Sequence, residues 1–320
     1  MRRPEGRPRD GGGRRRLALA AALALLGSSL GAVPAARGAV TAVTAPTKTV
    51  RAGKLTIGYR SIGHGRPVVM IMGLAGAMDA WQPTFLDALA RQGHRVIVFD
   101  NEGIGRTKAR PGTLTIRRMG DDTAALITAL HLGRPDVMGW SMGGMIAQSL
   151  AVRHPRSLRR LVLMATSPGD GVFAPPRPDA LALLTASPPN PLALLNELFP
   201  PHQTAARNRY IADVGRRQPL STIAPPAVIA RQLAASVAWS AGEDPDGARV
   251  HDLHLPVLVG GGALDHLLPV ANQRHLGNVI PHARLVVYPD AAHGFLFQRM
   301  RPFLRRVDAF LTPRGAGSTR

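Results

Sequence analysis

Three residues that could together make an activated nucleophile stand far apart in this 320-residue chain: Ser141, Asp265 and His293. Ser141 lies in Gly139-Trp140-Ser141-Met142-Gly143-Gly144, the G-x-S-x-G spacing of a sharp strand-to-helix turn. Such a turn lifts a serine hydroxyl clear of the backbone. A serine is a weak nucleophile until a base, an orienter for that base and an oxyanion site are supplied. The flanks fit the turn. Pro135-Asp136-Val137-Met138 is short and apolar enough for a buried strand, and residues 145–154 read as a helix ended by Pro155. The competing reading is an ordinary glycine-rich turn between a strand and a helix.

The remaining parts are sought at the same edge of the fold. His293 lies in Tyr288-Pro289-Asp290-Ala291-Ala292-His293-Gly294-Phe295, just beyond the last apolar strand. Ligands of an open parallel sheet bind at the carboxyl ends of its strands, where the serine turn also sits. His293 is the candidate base. Asp265 follows the strand Val257-Leu258-Val259 in Gly260-Gly261-Gly262-Ala263-Leu264-Asp265, and is the candidate orienting carboxylate. Glu243, Asp244 and Asp246 fall in a polar loop, and Asp290 is near His293 in sequence, where a three-residue separation on a loop does not ensure the geometry. Two backbone N–H groups would hold an oxyanion. Met142 follows the serine at a helix start, and Leu74 lies in Gly73-Leu74-Ala75-Gly76 after an apolar strand.

Apolar runs at 67–72, 95–100, 135–138, 161–165, 256–260 and 283–288 read as buried parallel strands. Helical patterns at 81–92, 116–132, 145–154 and 302–311 alternate with them. Residues 55–60 alternate like an edge strand. This order predicts an α/β fold, with a mostly parallel central sheet flanked by helices. From 167 to 250 prolines crowd in, with short helical patterns at 181–184, 192–198 and 227–240, which reads as an inserted helical lid. The expected organisation is an export signal at 1–39 and a linker at 40–53. The core then spans 54–166 and 251–312 around the lid at 167–250, and 313–320 form a disordered tail.

The formal charge is +20 and there are no cysteines. The first 40 residues hold eight arginines against Glu5 and Asp10, which leaves +14 on the rest of the chain. That charge is scattered, no nucleic-acid motif accompanies it, and aromatics make up only 4%. Nucleic-acid binding is therefore not expected. The arginine-rich start, the apolar stretch 17–26 and the small residues through 39 form the anatomy of a Sec or twin-arginine export signal. The expected location is secreted or cell-envelope, with no stable membrane span after cleavage. An uncleaved membrane anchor is the alternative.

Taken together, residues 50–312 resemble the α/β-hydrolase superfamily, in the branch of serine esterases, lipases and cofactor-free haloperoxidases. The order Ser141, Asp265, His293 matches that family's chain order. Asp100-Asn101-Glu102-Gly103-Ile104-Gly105-Arg106-Thr107 resembles its D-x-x-G-x-G-x-S/T turn, which carries no chemistry. Two departures stand out. Met72 precedes Gly73 where the family often has His, and Glu102 replaces a common Arg, a change expected to touch local ion pairing only.

The resemblance implies a serine hydrolase that cleaves a small, apolar carboxylic ester through an acyl-enzyme, without cofactor or metal. Perhydrolysis, C–C hydrolysis, acyl transfer and amide cleavage use the same triad and stay open, as does a non-catalytic ligand-binding protein. Trp81, Trp140 and Phe199 are candidate walls of the substrate pocket. No metal-ligand cluster or phosphate-cradling loop is present in the sequence. Ester hydrolysis is accordingly expected to be unchanged after dialysis against EDTA, and loss of activity there would expose a missing metal.

Overall fold

Five of the six apolar runs become inner strands of one eight-stranded sheet, while the run at 283–288, expected to be buried, forms a partly exposed edge strand because only one neighbour pairs with it. The computed structural model describes residues 40–186, 191–220 and 224–312. The expected export signal and disordered tail lie outside the described residues. The strands are β1 (Lys48–Ala52), β2 (Leu55–Ile62), β3 (Arg66–Ile71), β4 (His94–Phe99), β5 (Asp136–Trp140), β6 (Leu161–Met164), β7 (Val257–Gly262) and β8 (Arg284–Tyr288). Their spatial order is β1-β2-β4-β3-β5-β6-β7-β8. β1 pairs antiparallel with β2, and β2 with β4, while every later pair is parallel. The chain therefore forms an α/β-hydrolase fold.

The first strand lies where a linker is expected. The sequence KTVRA carries too little apolar alternation to announce a strand, and its pattern is mostly exposed. Pairing with the stronger β2 makes it one.

Alternate residues of each inner strand face opposite layers. Val69, Ile71, Ile97, Val137, Leu161, Leu163, Val257 and Val259 belong to one buried cluster. It also takes in apolar side chains of α2 (Ile116–Ala129), α3 (Met142–Arg153) and α8 (Val270–Val279). Val68, Met70, Val96, Val98, Met138, Val162, Met164 and Leu258 belong to the other. That cluster includes α1 (Pro83–Arg91) and α10 (Met300–Leu311), while the short α9 (Phe295–Gln298) contributes Phe295 to Phe297. Burial of these side chains at roughly 1.5–3 kcal/mol each is the main stabilising term for such a sheet.

Between β6 and β7 run α4 (Pro178–Thr185), α5 (Pro191–Leu198), α6 (Thr204–Val214) and α7 (Pro226–Ser240). The prolines that mark this segment as irregular in sequence open three of these helices. A proline at the first helical position loses no hydrogen bond, and its fixed φ suits the helix. α6 was not legible, because the apolar residues of TAARNRYIADV are interleaved with polar and charged ones and form no clear stripe. The insertion is tied down at its end by Asp246, which is 2% exposed. Asp246 accepts from Arg117 of α2 at 2.7 Å and from the Ser149 hydroxyl of α3 at 2.8 Å.

The Glu102 departure has a clear structural consequence. Its carboxylate is fully buried between two guanidinium groups. Arg118 donates to both of its oxygens, at 2.7 and 2.9 Å, and Arg110 donates at 3.0 Å and through a second nitrogen. Arg110 also pairs with Asp122 of α2. Burial alone would raise the Glu102 pKa, but hydrogen bonds and charge from Arg110, with the charge of Arg118, outweigh it and hold the carboxyl below its ordinary range. Glu102→Ala is expected to lower stability in urea unfolding by about 3 kcal/mol, the cost of breaking a buried pair whose arginines still reach solvent. A carboxylate with a depressed folded pKa stabilises above its unfolded value. The difference from wild type should therefore shrink as pH falls through about 4 and below.

Candidate active site

Ser141 sits between the end of β5 and the start of α3, with φ 57° and ψ −127°. This is a costly backbone state for a residue with a side chain, and it persists only where the surroundings enforce it. Here the Ser141 N–H donates to Met164 O of β6 at 2.9 Å, and its carbonyl accepts from Gly144 N at 2.8 Å. The turn packs tightly against β3. A Cβ on Gly143 would lie 2.1 Å from Ile71 O, so no side chain fits there.

β3 is the parallel neighbour of β5, so its exit loop passes beside the serine. A Cβ built on Gly73 would lie 3.0 Å from the Ser141 Cβ and 3.5 Å from its Oγ. Leu74 follows, and its N–H donates to no acceptor among the described residues. Met142 is the first residue of α3, where helical N–H groups have no intrahelical partner.

Asp265 and His293 meet at the carboxyl ends of β7 and β8. His293 Nδ1 lies 2.8 Å from Asp265 Oδ2, with both side chains nearly sealed from solvent. A carboxylate only accepts, so this contact places the proton of a neutral imidazole on Nδ1 and leaves Nε2 as the acceptor. The other oxygen of Asp265 accepts from Leu267 N at 2.9 Å and Leu268 N at 2.8 Å. These two amides fix the carboxylate in place. Trp140 donates from its indole Nε1 to His293 O at 3.1 Å, and the two rings are 5.6 Å apart. Asp290 turns elsewhere, into an ion pair with Arg299.

Ser141, His293, Leu74 and Met142 all border one cavity of about 310 Å3. Its other walls include Met145, Phe173, Leu181, Val237 and Leu268. Among the described residues, no Asp, Glu, Lys or Arg lines it. Two further hydroxyls reach the wall, and both are engaged. Ser236 Oγ donates to Gln232 O at 2.9 Å, and Ser240 Oγ lies 2.9 Å from Ser167 Oγ. The cavity therefore offers apolar surface everywhere except at the serine–histidine end. Among the described residues, no group of three or more His, Cys, Asp or Glu could hold a metal ion.

The expected aromatic walls are not there. Trp81, Trp140 and Phe199 do not line the cavity. Trp140 points to the α1 and α10 side of the sheet, where Trp81 and Phe297 pack against it. Phe199 packs on Tyr210 with ring centroids 5.4 Å apart. Side chains this large contribute most when buried in the core, and strand alternation assigns Trp140 to that layer. Phe173, from the inserted segment, lines the cavity instead. Gln232 was missed. Its signal was a polar residue on the buried stripe of α7, between Val228, Ala235 and Trp239.

Comparison with known proteins agrees with this architecture. The family model for the alpha/beta hydrolase fold matches residues 66–299. BpoC of Mycobacterium tuberculosis, named as a non-heme bromoperoxidase, is 31% identical over 77% of this chain and 93% of its own. RutD of a Caulobacter species, named as a carbamate hydrolase, is 28% identical over 79% of this chain and 95% of its own. An alpha/beta hydrolase fold protein from Chitinophaga pinensis superposes with a TM-score of 0.75 at 26% identity, covering 85% of this chain and 99% of that one. The sheet order, the serine turn at the head of α3 and the matched span lead to one conclusion: the chain belongs to the α/β-hydrolase family.

Proposed function

We propose that the protein is a serine hydrolase that cleaves uncharged, apolar carboxylic esters through an acyl-enzyme. The observation that carries this reading is the buried Asp265–His293 pair, whose imidazole lines the same cavity as Ser141. In the proposed sequence Ser141 Oγ attacks the ester carbonyl while His293 Nε2 takes its proton. The carbonyl oxygen gains the negative charge and is met by the Leu74 and Met142 N–H groups. Collapse breaks the C–O bond, and the alcohol leaves with the proton from His293. Water, deprotonated by the same imidazole, then attacks the acyl carbonyl, and Ser141 recovers its proton as the acid departs.

Asp265 supports each proton transfer. Its Oδ2 keeps the imidazole in the Nδ1–H tautomer and stabilises the imidazolium. Its own charge is held by two backbone amides rather than by a cation, so the imidazolium is its natural counter-ion. Substrate choice follows from the walls. A charged acyl group would lose its hydration inside this cavity and gain no partner. A neutral aliphatic or aromatic acyl group would bury apolar area at about 25 cal/mol per Å2.

A second reading keeps the same residues. BpoC's naming as a bromoperoxidase supports hydrogen peroxide as the acceptor of the acyl group, which would release a peracid in place of the acid. Product analysis with and without peroxide separates the two.

Fluorophosphonate labelling and hydrolysis of p-nitrophenyl esters of graded chain length test the proposal directly. Wild type should be labelled and Ser141→Ala should not, and activity surviving in Ser141→Ala would sink the mechanism. Asp265→Asn places an amide N–H or a neutral oxygen against His293 and upsets the tautomer. A loss on the order of 10⁴-fold in kcat is expected, with KM little changed, and stopped-flow kinetics would measure it.

A further inference from the structure

The loop leaving β3 is restrained at three consecutive peptide groups, each by a different part of the molecule. The Met72 carbonyl accepts from the Asn101 side-chain amide at 3.0 Å. The Gly73 carbonyl accepts from Gly76 N at 3.3 Å. The Ala75 N–H donates to Gln232 Oε1 at 2.8 Å. Between the second and third of these bonds lies the Leu74 N–H, without an acceptor among the described residues and on the wall of the cavity that holds Ser141.

A peptide group is planar, so the direction of the Leu74 N–H is the orientation of the Gly73–Leu74 plane. The Gly76 bond restrains that plane directly, and fixing the planes on either side narrows the orientations left to it. Asn101, from the tight turn after β4, holds the plane before it, and Gln232, from the inserted helix α7, holds the plane after it. Gln232 is the restraint that matters most, because Ala75 sits at φ 60°, a left-handed state that alanine adopts at a cost. Without its acceptor the Ala75 N–H would be left unpaired in a strained turn, and relaxation of Ala75 would swing Leu74.

The chemistry of Gln232 is specific to this contact. Its side chain is fully buried, and a backbone N–H only donates, so the amide atom facing Ala75 must be the oxygen. Its Nε2 has no partner among the described residues. A buried amide kept for a single hydrogen bond is an unusual use of core space. The next residues along α7 on this side, Leu233, Ser236 and Val237, line the cavity itself.

We infer that Gln232 is a positioning residue for the oxyanion site: its Oε1 holds Ala75 so that the neighbouring Leu74 N–H points at the charge that develops on the substrate. The inference rests on the acyl-enzyme reading above. Gln232 touches no reacting atom and acts through the loop.

The test compares Gln232→Met, which keeps the length without the acceptor, with Gln232→Glu, which keeps an oxygen at the same place. Leu233→Ala, the adjacent cavity-wall residue, is the control. Gln232→Met should lower kcat on a p-nitrophenyl ester on the order of tenfold to a hundredfold with KM within about twofold. It should weaken a trifluoromethyl ketone inhibitor, whose adduct carries an oxyanion, in parallel with the loss in kcat/KM. Gln232→Glu should recover part of that loss. Leu233→Ala should raise KM instead, and thermal melting would confirm that each variant is folded. Should Gln232→Met fail to fold, Gln232→Glu must hold kcat well above the Ser141→Ala background. An unchanged kcat in Gln232→Met, or a change matching Leu233→Ala in both constants, would overturn the inference. Fluorophosphonate labelling of wild type tests the functional reading separately, so a labelled wild type with an unimpaired Gln232→Met refutes this inference alone.

Discussion

The parallel pairing of β3, β5, β6, β7 and β8 is the constraint on which the site depends. Parallel strands all end at one edge, so residues that follow them meet there whatever their separation in sequence. β5 delivers Ser141, β3 delivers Gly73 and Leu74 beside it, and β7 and β8 deliver Asp265 and His293. The pairing also enforces the strained serine. β6 anchors the Ser141 N–H through Met164 O, and β3 crowds the turn until position 143 accepts only glycine. Strain at Ser141 is thus borne by the most buried strands of the molecule, where local relaxation would disrupt both layers of core.

A hydrogen-bonded chain continues from that frame to the imidazole. Leu267 and Leu268 amides hold Asp265, Asp265 holds His293, and the His293 backbone is held in turn by Trp140. Trp140 adjoins Ser141 in sequence but faces the opposite layer of the sheet. One strand end therefore presents the proposed nucleophile on one side and braces the proposed base on the other. This explains why Trp140 serves the site without lining it.

Much of this was legible in the sequence, because it rests on short-range pattern. Continuous apolar runs are the mark of strands covered on both faces, and five such strands, with the partly exposed edge strand β8, were read within a residue or two of their ends. Ser141, Asp265 and His293 could be picked out because each follows such a run. Legibility failed where structure comes from a partner. β1 is a strand because β2 pairs with it, α6 has no clear apolar stripe to read, and the glutamate in the turn after β4 gains its meaning from arginines 8 and 16 residues away. The pocket aromatics failed for the same reason. Size and polarity alone place a tryptophan near apolar surface, whereas only the strand register decides which layer receives it.

The inserted helices change how rate and selectivity are related in this fold. If the insertion only covered the cavity, its residues would govern which acyl groups bind and leave the chemistry to the sheet. α7 does not allow that separation. Its face presents Leu233, Ser236 and Val237 to the cavity and Gln232 to the loop that carries Leu74, all within two turns of one rigid helix. A displacement of α7 that enlarged the cavity for a bulkier ligand would move the Gln232 oxygen away from Ala75 as well. Asn101 on the opposite side of the loop is anchored to the core and would not follow, so the mismatch would fall on the peptide planes between them. Substitutions that reshape the cavity through α7 therefore trade against the geometry of the proposed oxyanion site.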